Sequence, residues 1–298
     1  MNNILSSNRI KRRLGRKFRR YTLTINPRFF RPSSSPYISG DTFRKESKYI
    51  FDETQSFNPS DVKKNDTIFL KTDLKEIYFK TIHPKINNEY VLITHNSDEK
   101  IDIIDKDYAD EKIINWYAQN LTIPADKKFL PLPIGFENRR YLNNGRLKNL
   151  DYVKNKKVIK KNKIFSSFNT NTNFPLRNNL EALVKEIPDI DQKKFETPFD
   201  YLNCLNKYKF VLCPEGNGLD THRIWEALLT KTVPIIKKSQ FSDNFLKLGL
   251  PFLLIEDWHE LEKFDENNIS NLYENYKDYE YLKYLDKKFW LNSSEQKS

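Results

Sequence analysis

A chain of 298 residues with 51 Lys and Arg against 40 Asp and Glu carries a formal charge of +11, and 38% of its residues are hydrophobic. That is length for about two domains and apolar material for real cores, which excludes a wholly disordered chain. No run approaches ~18 uncharged apolar residues and the first thirty lack a secretory apolar core, so neither a membrane-spanning helix nor a signal peptide is expected.

The first element is a basic arm. Residues 1–31 hold ten basic side chains (Arg9, Lys11, Arg12, Arg13, Arg16, Lys17, Arg19, Arg20, Arg28 and Arg31) and no acid, leaving 41 basic and 40 acidic groups on the rest, a net of +1. A nucleic-acid partner calls for a basic face on a folded domain, so none is expected for the body. The arm itself reads either as a solubilising tail or as an attachment to an anionic membrane surface through residues 9–20, where Leu14 and Phe18 interrupt the charges.

After the turn at Arg31-Pro32-Ser33-Ser34-Ser35-Pro36, Tyr37–Ser39 reads as a short strand and Thr42–Phe51 as a helix. Thr67–Leu70 is a buried-type strand, followed by a helix through Ile77, Tyr78 and Ile82. Tyr90–Thr94 is a clear strand that runs into His95-Asn96-Ser97-Asp98. Ile113, Ile114, Trp116 and Tyr117 have helical spacing, and Phe129–Ile134 is a strand turning at Gly135. Leu147–Lys163, rich in Lys and Asn, reads as a connection between halves or as a solvated loop.

The second half alternates more regularly. Strands are expected at Lys163–Phe168, Phe210–Cys213, Val233–Ile236 and Phe252–Ile255. Helices are expected at Pro175–Ile187, Phe199–Asn206, Asp220–Thr230 and Phe241–Leu248. Tyr281, Leu282, Leu285, Phe289 and Trp290 mark an apolar stripe on a tail helix. Such alternation predicts an α/β chain with parallel sheets. The divisions are an arm (1–31), a first Rossmann-like lobe (32–146), a connector (147–162), a second lobe (163–270), and a terminal helix and tail packing back (271–298). Ligands of such sheets bind beyond the carboxyl ends of the strands, in a cleft between the lobes. Two cysteines, Cys204 and Cys213, with no CxxC or HExxH, fit buried thiols in a reducing, cytoplasmic compartment and no structural zinc.

Two of the seven glycines fall in the loop Pro214-Glu215-Gly216-Asn217-Gly218-Leu219-Asp220-Thr221-His222-Arg223. Gly216, Asn217 and Gly218 let backbone amides approach a ligand, and Asp220 suits a helix N-cap. The following helix start offers free N–H groups to an anion, with His222 and Arg223 beside it. Glu226 shares a face with Arg223 and could accept from ribose hydroxyls; the same two residues also read as a plain surface pair. Ser166, opening the polar run to Thr172, could touch phosphate. The loop lacks the third glycine of a dinucleotide fingerprint, and no GK[ST] is present.

The segment from Phe210 to Ile236, with its Pro-x-Gly-x-Gly-x-Asp-x-x-Arg-x-Trp-Glu-Ala-Leu and Val-Pro-Ile-Ile, resembles the donor-binding segment of exostosin-type glycosyltransferases and the catalytic region of ribitol xylosyltransferase relatives. The close match lies in this segment; the first half matches in outline, at His95–Asp98 and Leu132–Gly135. Lys231-Thr232 departs from the small residue usual before the Val-Pro strand, which puts helix termination in question. The resemblance implies a GT-B fold, with a nucleotide-sugar donor, expected to be a UDP-sugar, in the second lobe and a glycan, glycolipid or protein-linked acceptor on the first. It further implies inversion, no cofactor and no essential metal. Arg223 would contact diphosphate and Glu226 ribose. Inversion needs a base, and three residues on cleft loops are candidates: Asp41 and Asp98 equally, with His95 behind. Two alternatives are a catalytically inactive nucleotide-sugar-binding module and a nucleic-acid-binding protein acting through the arm.

Overall fold

The computed structural model describes residues 30–141 and 144–291. The arm up to residue 29, with its proposed membrane-facing stretch 9–20, lies outside the described residues. Among the described residues, two parallel sheets of five strands each organise the fold. The first holds β1 (Tyr49–Phe51), β2 (Asp66–Lys71), β3 (Tyr90–His95), β4 (Ile113–Ala118) and β5 (Phe129–Pro131), in that spatial order. The second holds β6 (Lys161–Ser166), β7 (Ile190–Gln192), β8 (Tyr208–Leu212), β9 (Val233–Lys237) and β10 (Leu253–Ile255), in the order β10-β9-β8-β6-β7. The α/β class with parallel sheets is as the alternation predicts.

Nine α-helices accompany the sheets among the described residues: α1 (Gly40–Glu46), α2 (Lys75–Thr81), α3 (Leu147–Asn155), α4 (Phe174–Lys185), α5 (Pro198–Leu205), α6 (His222–Leu229), α7 (Gln240–Leu246), α8 (Glu266–Glu274) and α9 (Lys287–Leu291).

Several expectations change. Ile113–Ala118 is strand β4, not helix, because a strand with parallel neighbours on both sides buries both faces and its apolar run has no period to read. The helix expected over Thr42–Phe51 stops at Glu46, and Tyr49–Phe51 pairs with β2. Tyr37 and Ser39 form isolated antiparallel bridges to Asp286 and Gly135 rather than a strand. Leu147–Lys163 contains α3, whose buried Leu150 and Val153 seat it against the second lobe. The tail stripe is a 3-10 turn at Tyr281–Leu285 followed by the short α9. Strand β7 and helix α8 were not anticipated. Helix α6 ends cleanly despite Lys231, which takes the left-handed φ of 52°.

The side chains of the first sheet alternate between two cores. Ile68, Leu70, Leu92, Trp116 and Phe129 point to one that includes Tyr78 and Phe79 of α2. Phe69, Ile93, Tyr117 and Leu130 join a larger one that runs on into the second lobe, with Phe165, Trp225, Phe245 and Trp290. The lobes therefore share apolar core. The C-terminal segment also returns to the first lobe, where Ile38 N donates to Leu285 O and Lys287 N to Pro36 O. Among the described residues no helix is long and apolar enough to cross a membrane.

Candidate functional site

The strand order of the second sheet reverses between β6 and β8. The chain leaves β6 toward β7 and leaves β8 toward β9, so the two loops diverge and open a crevice at the carboxyl ends of these strands. A cavity of about 720 Å³ lies there, walled by Ser167 and Phe168 after β6, Tyr201 of α5, and Thr221, His222, Arg223 and Glu226 at the start of α6. That volume is in the usual range for a small-molecule site.

Two arginines face this cavity. Arg177 of α4 donates to the carbonyls of Glu215 (2.9 Å), Asn169 (3.0 Å) and Pro214 (3.1 Å), tying the loop after β6 to the loop after β8. Arg223 donates from Nε to Ser167 O at 2.9 Å. Burial and the neighbouring Arg223 charge push the Arg177 guanidinium down to about 10. Neither arginine has a carboxylate in ion-pair range among the described residues. Beside them, among the described residues, the Tyr201 and Thr221 hydroxyls are buried without a hydrogen-bond partner. Burial pushes the Glu226 carboxyl up, and the neighbouring Arg223 charge opposes this. Positive charge and unsatisfied hydroxyls together suit a hydroxylated anion.

Of the residues the sequence nominates for donor binding, His222, Arg223 and Glu226 converge on this cavity. Gly216, Asn217, Gly218 and Asp220 do not line it. Gly218 instead packs against the first lobe, where a Cβ would come within 2.9 Å of Asn120 Nδ2 and 3.3 Å of Asp98 Cα. Asp220 does not cap α6. Its Oδ1 accepts from Trp225 Nε1 (2.9 Å), its Oδ2 accepts from Ile134 N (2.6 Å), and its N–H donates to Asn120 Oδ1 (2.9 Å). It clasps the lobes, and burial pushes its carboxyl up to about 7. Thr221 occupies the cap position with no side-chain cap bond. Ser166 is buried and lines a smaller neighbouring cavity of about 240 Å³ with Lys185 and Lys194.

A second cavity of about 410 Å³ lies at the carboxyl ends of the first sheet, lined by Lys71, Asp73, Asp98, Glu137, Arg140 and His222 among others. Of the three base candidates, Asp98 is exposed on this cavity. Asp41 is shut in α1, its Oδ1 held by Arg31 Nε at 2.7 Å and its side chain 0% exposed. His95 is fully buried, bonded from Nε2 to Pro133 O at 2.9 Å and accepting at Nδ1 from Asn96 N. Burial pushes it down to about 4, so it is neutral at ordinary pH.

His222 lines both cavities. Its Nδ1 is 2.7 Å from Gly135 O and its Nε2 is 3.5 Å from Glu137 Oε2. Sequence reading missed Glu137 and Arg177. Glu137 comes two residues after the turn expected at Gly135, the only signal it offers; Arg177 lies near the start of the helix after β6, much as Arg223 does after β8. Among the described residues no group of three or more His, Cys, Asp or Glu is placed to hold a metal ion. No protein-family model matches the chain, and no curated protein matches it in sequence.

Proposed function

We propose that the chain is a glycosyltransferase of the exostosin type with a GT-B arrangement, which binds a nucleotide-sugar donor in the second lobe and an acceptor hydroxyl on the first. The observation that carries the reading is the cavity at the β6/β8 switch point, where Arg177 and Arg223 present positive charge with no carboxylate partner among the described residues and Glu226 stands one turn along. The facing cavity that meets it at His222 supports a two-substrate transfer. The return of the C-terminal segment to the first lobe supports the GT-B form.

In this reading Arg223 and the uncapped start of α6 hold the diphosphate and stabilise the charge that develops as it leaves. Arg177 holds the loops that shape the crevice. Glu226 accepts from ribose hydroxyls. As the resemblance implies, the anomeric carbon is inverted and the protein's own cations meet the leaving charge.

The test is a melting-temperature panel with UDP-, GDP- and CMP-sugars, followed by Arg223→Ala and Glu226→Ala. A donor raises the melting temperature of the wild type. Each variant stays folded, loses transfer, and binds that donor about 10- to 100-fold more weakly, the worth of a hydrogen bond to a charged group. Unchanged donor affinity in both variants overturns the reading.

A further inference from the structure

Resting on the glycosyltransferase reading, we propose that His222 is the general base that deprotonates the acceptor hydroxyl, with Glu137 holding the imidazolium that forms. His222 stands where the two cavities meet. A base for direct displacement must touch the acceptor on one side while the anomeric carbon lies on the other. Asp98 and Glu137 line the first-lobe cavity but not the second-lobe one. Asp41 and His95 are sealed from both.

The protonation pattern of the ring is set by its neighbours. Gly135 O, 2.7 Å from Nδ1, has no proton to give. Nδ1 therefore carries the hydrogen in the neutral ring, and the lone pair is on Nε2. The carbonyl is held in place by a glycine turn: Gly135 has φ +67°, and a Cβ there would come within 2.5 Å of Ile38 O. Nε2 lies 3.5 Å from Glu137 Oε2, too far for a hydrogen bond that would occupy it, and the Glu137 side chain is 24% exposed. The Glu137 carboxylate is itself oriented by Asn138 N, which donates to Oε1 at 3.0 Å. A carbonyl bonded to one ring nitrogen and a carboxylate near the other give a base with its tautomer fixed and its charged form compensated.

The step balances. The acceptor O–H proton passes to Nε2 as the acceptor oxygen forms its bond to the anomeric carbon. The bond from that carbon to the donor phosphate oxygen breaks, and its electron pair leaves with the diphosphate. The imidazolium is then paired with Glu137 until the proton is lost to solvent. Because His222 and Arg223 are consecutive at the start of α6, one helix end presents both the proton acceptor and the cation for the leaving group.

The experiment uses the full chain and the sugar nucleotide that most raises its melting temperature, with water as the acceptor hydroxyl and release of free nucleotide as the readout. His222→Asn keeps an N–H for Gly135 O but has no basic nitrogen. It is expected to bind the donor within about 2-fold of wild type and to lose about 10²- to 10⁴-fold in kcat. His222→Ala is expected to recover turnover on addition of imidazole, which a merely structural role would not allow. Glu137→Gln lowers kcat with donor affinity unchanged. Wild-type turnover in His222→Asn, or no imidazole effect in His222→Ala, overturns the assignment of the base and leaves the transferase reading standing. If the wild type itself binds and turns over no sugar nucleotide, the transferase reading fails and the base with it.

Discussion

The arginines buried in the two lobes are held in different ways. In the first, buried and half-buried cations meet carboxylates: Arg31 pairs with Asp41, Arg44 with Asp52, Lys71 with Asp73 and Lys75 with Asp105. In the second, Arg177 and Arg223 are held by backbone carbonyls. A carbonyl satisfies the N–H groups without cancelling the charge, so the cavity of the second lobe keeps a positive potential that the first lobe has neutralised. Topology matches this. The first sheet winds in one direction and has no point of reversal, whereas the second reverses at β6/β8 and gathers its arginines there. Near-neutrality of the body therefore conceals an asymmetry between its halves.

The largest expected effect tests whether the lobes, so different in charge, fold as one. Trp225 is fully buried, edge-on to Phe245 and Trp290, and bonded to the lobe-clasping Asp220. Trp225→Ala should cost about 3–5 kcal/mol in denaturant unfolding. Because the core is continuous, fluorescence and circular dichroism should report a single transition. Separate transitions would break the picture of a shared core.

The charge contrast itself is tested by removing one cation from each side. Arg44→Met leaves Asp52 buried beside the more distant Arg31, 3.9 Å away, and should cost up to about 3 kcal/mol while donor affinity stays put. Arg177→Met should cost less, about 1–3 kcal/mol, yet weaken donor binding at least about tenfold by calorimetry. If both variants lose donor affinity equally, the asymmetry has no functional content.

The seam between the lobes gives the smallest effect. Asp220→Asn places an amide donor against either Ile134 N–H or Trp225 Nε1–H, and should cost about 1–2 kcal/mol. The wild-type carboxyl, raised by burial to about 7 from an unfolded value near 4, favours its protonated form in the folded state. Its contribution is therefore complete below the unfolded value and is lost as pH rises through the folded one. Stability should fall between about pH 4 and 7, and Asp220→Asn should flatten that slope. An identical slope in the variant would assign the dependence to another group.

Much of the frame is legible in residue order. The β-branched and aromatic runs at Thr67–Leu70, Tyr90–Thr94, Phe210–Leu212 and Val233–Ile236 are all strands, since such runs bounded by turn residues fit a buried parallel sheet. The His222-Arg223-x-x-Glu226 group is also legible, because three to four residues on a helix share a face. What fails is either short or two-sided. Strands β1 and β7 have three residues each and carry no period, and β4 imitates a helix because it is buried on both faces.

The sequence by itself therefore determined the α/β class, the placement of charge in an arm and the cluster at the start of α6, because each depends on neighbours in the chain. Only the tertiary structure decided what the clustered residues do. Gly218 and Asp220 turned out to join lobes rather than line the cavity, and Asp41 and His95 to be buried. His222, read as one of several donor contacts, acquires its fixed tautomer and its carboxylate from a loop 87 residues earlier. Proton acceptance depends on which atoms surround a nitrogen, and those atoms are brought together by the packing of two sheets, which no local spacing encodes.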